Sequence, residues 1–100
     1  MTARIKIDHD KIAAFCRKWK VQEFALFGSV LRDDFGPNSD VDVLLTFEPD
    51  APWSLFHLAR MQRELRTILR RRVDVVEKEA LENPVRRRAI LEASQVIYGA

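Results

Sequence analysis

The chain has 100 residues and a formal net charge of +2, with 47% hydrophobic and 32% charged residues. That is the composition of a globular chain rather than a disordered one, and no stretch approaches the roughly 20 apolar residues of a membrane span. The opening MTARIKIDHDK carries charges where a signal peptide needs its apolar core, and a lone cysteine, Cys16, allows neither an internal disulfide nor a zinc site of several cysteines. The expectation is one cytoplasmic domain over residues 1–100.

In chain order, Asp8 or Asp10 can cap a first helix, along which Ile12, Phe15, Cys16 and Trp19 recur at helical spacing. EFALFGS then reads as a strand ending at Gly28, and SVLRDDF as a short helix. GPNS carries turn residues. VDVLLTF is the strongest strand, nearly continuous in apolar residues, as in a sheet covered on both faces or nearly so. After the break EPDAP, a long helix is predicted from about Trp53 to Arg71. Leu55, Leu58, Met61, Leu65, Ile68 and Leu69 form its apolar stripe. RVDVVEK is a third strand. NPVRRRAILEAS begins a helix with an asparagine before a proline, and QVIYG closes as a short strand or a helix end. The fold class is α/β (α+β): a small mixed sheet flanked by helices, with the first two strands antiparallel neighbours.

Twelve of the 17 basic residues are arginine, and six of these lie in two triplets, Arg70–Arg72 and Arg86–Arg88. Both triplets fall near helix ends. They read as a solvated face or a complement to the helix dipole rather than a binding patch. His9 and His57 are isolated and take no catalytic role. Trp19 and Trp53 read as packing residues.

The chemistry concentrates in FGSVLRDDFGPNSDVDVLL, which holds Asp33, Asp34, Asp40 and Asp42. Side chains alternate along a strand, so Asp40 and Asp42 share a face at its start. Asp74 stands at the start of the third strand. If the two strands lie side by side, three carboxylates converge. Like charges that close raise their pKa values or bind a cation. Magnesium suits such hard oxygen ligands and shares them with phosphates; a pair of ions would activate a hydroxyl and stabilise a leaving pyrophosphate. Gly28 lets backbone approach a ligand closely, and Ser29 adds a hydroxyl and N–H groups where the short helix begins. Taken singly, each feature has a plain structural reading: Asn38, Ser39 and Asp40 as turn residues, Ser29 as a cap, Asp74 as an exposed strand residue. The combination and its order carry the argument.

At these residues the sequence resembles the minimal nucleotidyltransferases of the DNA polymerase beta superfamily. Gly28-Ser29, ten residues, then Asp40-Val41-Asp42 matches the spacing GSx10DxD, and RVDVV resembles the segment bearing the third carboxylate. The likeness covers roughly residues 24–76. It implies a palm-like sheet, magnesium (two ions), ATP as the nucleoside triphosphate, and transfer of a nucleoside monophosphate to a hydroxyl with release of pyrophosphate. By position, Asp40, Asp42 and Asp74 would be the catalytic metal ligands, with Asp74 also helping to deprotonate the acceptor. Gly28, Ser29 and Arg32 would bind the nucleotide. Arg32 keeps the family's arginine, open either to phosphate or to an ion pair with Asp33, Asp34 or another acid. Leu31 and Asp33 depart from the family's usual alanine and glycine. Many relatives of this size are antitoxins paired with a HEPN-domain toxin, to whose tyrosine they attach AMP, silencing its ribonuclease.

Three functions are therefore weighed. The first is an adenylylating antitoxin whose HEPN-domain partner brings the acceptor hydroxyl. The second is an antitoxin or scaffold that neutralises its partner by binding alone. The third, least favoured, is an RNA-binding module. No membrane or direct nucleic-acid contact is expected, and a homo- or hetero-oligomer is compatible with the size.

Overall fold

The structure is a computed structural model and describes residues 5–33 and 35–99. Asp34 lies outside the described residues. The first helix, α1 (His9–Lys18), starts where Asp8 accepts a hydrogen bond from the Lys11 amide at 3.2 Å. It buries Ile12, Phe15 and Cys16. Burial pushes the Cys16 thiol up to about 12, against a small lowering by Arg17, so this cysteine is an inert packing residue.

Strand β1 (Val21–Phe27) runs into a short 3-10 turn at Gly28–Leu31, and strand β2 (Val41–Phe47) follows. The long helix α2 spans Leu55–Leu69, shorter at both ends than its periodicity suggests. At its start the Ser54 amide donates to His57 Nδ1 at 3.0 Å. At its end Arg70 turns left-handed, with φ 56°. Strand β3 (Val73–Glu77), a 3-10 turn at Lys78–Ala80, helix α3 (Pro84–Glu92) and strand β4 (Gln95–Tyr98) complete the chain. Asn83 caps α3 by accepting from the Val85 and Arg86 amides.

The sheet order is β3-β2-β1-β4. β1 is antiparallel to β2 and to β4, whereas β2 and β3 are parallel. A parallel pair needs a long crossover, and α2 supplies it. On one face Phe24, Leu26, Val41, Val43, Leu45 and Val73 pack against α1 and α2 through Ile12, Phe15, Met61, Leu65 and Leu69. Each such side chain contributes about 1.5–3 kcal/mol when removed from water. Phe15 meets Phe24 edge to face at 6.2 Å.

The other face is covered only in part. Ala25, Leu44 and Leu81 are buried there, with Phe27, Val76, Ile90 and Leu91 around them. Period-two alternation places Asp42 and Asp74 on this same face, beyond the patch that α3 and Leu81 cover. The functional end of the sheet is thus where β1 ends and β2 and β3 begin.

Two elements depart from expectation. The short helix expected over SVLRDDF is only the 3-10 turn Gly28–Leu31, and α2 covers less of its stripe than its periodicity suggests. Leu55 belongs to the predicted apolar stripe but is 82% exposed, beside Phe56 at 85%. Met61, Leu65 and Leu69 of that stripe are buried. Periodicity assigns a face, not its length, and the stripe runs one turn further than the surface that covers it.

Candidate active site

The site is built from rows across two parallel strands. Val41 pairs with Val73, Asp42 with Asp74, Val43 with Val75 and Leu44 with Val76. Asp42 and Asp74 are therefore direct cross-strand neighbours on the partly open face, and the next row inward, Leu44 and Val76, is apolar. Asp40 stands just ahead of β2, close enough for its charge to act on Asp42. Of the expected convergence of three carboxylates, the strand register supplies one pair, Asp74 beside Asp42.

The electrostatics match that crowding. Burial pushes the Asp42 carboxyl above the usual aspartate range, and the negative charges of Asp74 and Asp40 push the same way. The Arg32 guanidinium acts in the opposite direction, which places its positive charge within reach of the cluster. A set of hard oxygens short of positive charge has the chemistry of a magnesium site. Among the described residues, however, no three His, Cys, Asp or Glu side chains are drawn together closely enough to hold a metal ion as they stand. Asp40 has a different partner. Its Oδ1 is engaged by Arg72 Nε at 3.0 Å.

Gly28 faces the cluster from β1. Phe27 pairs with Asp42, and Gly28 follows with φ +76°, a conformation that favours glycine. A Cβ at this position would overlap Asp42 Oδ2. The glycine thus lets the Asp42 carboxylate lie directly against main chain. Ser29 donates its hydroxyl to the Asp40 carbonyl at 3.4 Å, tying the 3-10 turn to the residue that precedes β2.

Sequence reasoning missed Arg71 and Arg72. The Arg70–Arg72 triplet was expected to be solvated or to complement the helix dipole. Instead, Arg71 Nη1 donates to the Gly36 carbonyl at 3.0 Å and its guanidinium lies 4.4 Å from the centre of the Phe35 ring. Arg72 donates to the Asn38 carbonyl and pairs with Asp40. The Val41 amide donates to the Arg72 carbonyl at 2.9 Å. These two arginines fasten the 35–40 segment that delivers Asp40. The second triplet follows the expectation in part: Arg86 and Arg88 are exposed on α3, with Arg88 3.6 Å from Glu92, whereas Arg87 is half-buried and donates to the Lys78 carbonyl at 3.4 Å.

Comparison with known proteins agrees with the geometry. The model of the nucleotidyltransferase domain family matches residues 10–97. A protein of Methanocaldococcus jannaschii, provisionally named a protein adenylyltransferase, is 33% identical over 84 residues, 84% of this chain and 82% of its own. Protein adenylyltransferase MntA of Thermococcus cleftensis is 33% identical over 81 residues, covering 81% and 77%. Among solved structures, a toxin–antitoxin crystallised with AMP-PNP superposes with a TM-score of 0.74 at 20% identity, over 94% of this chain and 75% of that one. A tri-AMPylated HEPN toxin of Shewanella oneidensis in complex with its MNT antitoxin gives a TM-score of 0.67 at 19% identity, over 92% and 70%. At those identities the structural likeness is one of fold.

Proposed function

The chain belongs to the nucleotidyltransferase domain family, and we propose that it transfers AMP from ATP to a hydroxyl of a partner protein in a magnesium-dependent reaction. The observation that carries this reading is the in-register pair of Asp42 and Asp74, with Asp40 two residues upstream and Gly28 packed on the Asp42 carboxylate.

Asp40, Asp42 and Asp74 would hold one Mg2+ ion or a pair. Bound there, magnesium neutralises charge on the triphosphate and lowers the pKa of the attacking hydroxyl. The remaining work falls to the chain. Gly28 and Ser29 leave room for the nucleotide's phosphates beside Asp42, and Arg32 adds a positive charge near them. Asp74, exposed on the edge strand β3, takes the proton of the acceptor hydroxyl as its oxygen bonds to the α-phosphorus and pyrophosphate leaves.

The acceptor we assign is a HEPN-domain toxin, and the setting is the cytoplasm. Support comes from relatives named protein adenylyltransferase and from a neighbouring fold bound to an AMPylated HEPN toxin. The test is intact-mass spectrometry of a candidate HEPN-domain partner after coexpression with this chain. The wild-type chain is expected to add AMP increments, and Asp42→Asn to add none. Unmodified partner with the wild-type chain refutes the reading.

One observation favours the alternative of neutralisation by contact. Leu55 and Phe56 are adjacent and almost fully exposed, which is unusual for residues of that size on an isolated chain. A variant with Asp40, Asp42 and Asp74 all changed to Asn decides between the two. If it still protects cells from the toxin, contact suffices; if protection is lost, transfer is required.

A further inference from the structure

The pairing of β2 with β3 begins at Val41 and Val73. Just ahead of it the side chains of Asp40 and Arg72 meet as an ion pair at 3.0 Å. An Asp–Arg pair therefore stands next to the Asp42–Asp74 pair. An opposite-charge cross-strand pair is favourable and a like-charge pair is not.

This ion pair has a specific consequence for loading the site. Arg72 occupies an oxygen of Asp40 that a metal would otherwise take. Both partners are more than half exposed, 68% for Arg72 and 52% for Asp40, so the bond is weak and easily exchanged. A guanidinium released at this position stands at the rim of the carboxylate face. Its planar fork matches a phosphate as well as it matches a carboxylate.

We propose that Arg72 is an exchange residue: it pairs with Asp40 and passes to a phosphate of the incoming nucleoside triphosphate when Asp40 turns to the metal. Arg72 is thereby a nucleotide-binding residue whose first counter-ion is one of the residues that would hold the metal. This rests on the nucleotidyltransferase reading and adds to it a fifth charged participant. The exchange makes and breaks no covalent bond; one salt bridge is replaced by another.

The exchange predicts opposite signs for two affinities, which a merely structural role does not. Calorimetric titration of the full chain with Mg2+ alone, then with AMP-PNP at saturating Mg2+, measures both. Arg72→Gln removes the competitor for Asp40. It is expected to bind Mg2+ about threefold more tightly, in keeping with a weak exposed pair. The same variant loses the fork and is expected to bind AMP-PNP about tenfold more weakly. Arg72→Lys keeps the charge without the fork and should fall between wild type and Arg72→Gln on both scales. Any other combination in Arg72→Gln, including both affinities falling together or either one unchanged, overturns the exchange. If the wild-type chain itself binds no Mg2+, the nucleotidyltransferase reading fails instead, so the two failures are separable.

Discussion

At the scale of single residues, the site is a balance of charge against close approach. Asp42 is crowded by Asp74 and Asp40 and by its own burial, so in the metal-free protein its charge is a burden on the fold. Asp42→Asn removes that charge and keeps the shape. At pH 7 without magnesium it is expected to melt at a higher temperature than wild type, while the stabilisation that added magnesium gives the wild type disappears. A lower melting temperature would contradict the crowding. Gly28→Ala tests the close approach. It places a Cβ on Asp42 Oδ2 and asks an L-residue to hold φ +76°. The left-handed backbone alone costs about 1–2 kcal/mol, so a denaturant midpoint equal to wild type would exclude this packing. The nearness of Asp40 to Asp42 was legible in the sequence, because it is local. The role of Arg72 was not. It depends on which residue of β2 stands opposite which residue of β3, and register between strands joined by a 15-residue helix is a tertiary property.

At the scale of elements, caps and long-range pairs set where helices begin and what they hold. Asn83 accepts from two amides at the start of α3, the helix whose Ile90 and Leu91 cover part of the functional face. Asn83→Ala should cost about 1 kcal/mol of stability, read from denaturant unfolding. Glu64 on α2 ties that helix to the end of α1, accepting from Lys18 Nζ at 2.9 Å and from Trp19 Nε1 at 3.1 Å. Burial pushes its carboxyl up, but those two hydrogen bonds and the charges of Lys18 and Arg60 bring it below the ordinary glutamate value. A lowered folded-state pKa stabilises the fold above the unfolded-state value and is lost as pH falls through the folded-state value. Wild type should therefore lose stability over that acid range more steeply than Glu64→Gln, and identical pH profiles would contradict the pairing. Element types and order were largely readable, since Asp8, Asn83 and Pro84 announce helix starts and the valine runs announce strands. The reach of α2 was not: its stripe includes Leu55, and only the extent of the sheet decides that Leu55 stays exposed.

At the scale of the whole molecule, the sheet has one closed face and one half-open face, and the chemistry sits on the second. Leu65, fully buried between α2 and the sheet, belongs to the closed face, far in role from the carboxylates. Leu65→Ala should cost about 2–5 kcal/mol of stability while leaving magnesium affinity, measured below the unfolding transition, within twofold of wild type. A large change in that affinity would mean that core and site are coupled. The antiparallel neighbours β1 and β2 followed from their short connection, whereas the place of β3 beside β2 and its parallel direction were left open by the sequence. The fourth strand was ambiguous because Gln95–Tyr98 is only 4 residues, too short for periodicity to separate strand from helix end. The central claim, that Asp40, Asp42 and Asp74 direct transfer of a nucleoside monophosphate, is tested most directly by where the label of ATP goes. The purified chain is incubated with magnesium, the HEPN-domain protein proposed as its partner and ATP labelled at either the α- or the γ-phosphate. The account requires α-label on the partner, none from γ-label, and a loss of at least about a hundredfold in Asp74→Asn, the order expected when a positioned proton acceptor is removed. Label arriving from the γ-phosphate, or α-label transferred undiminished by Asp74→Asn, would contradict it.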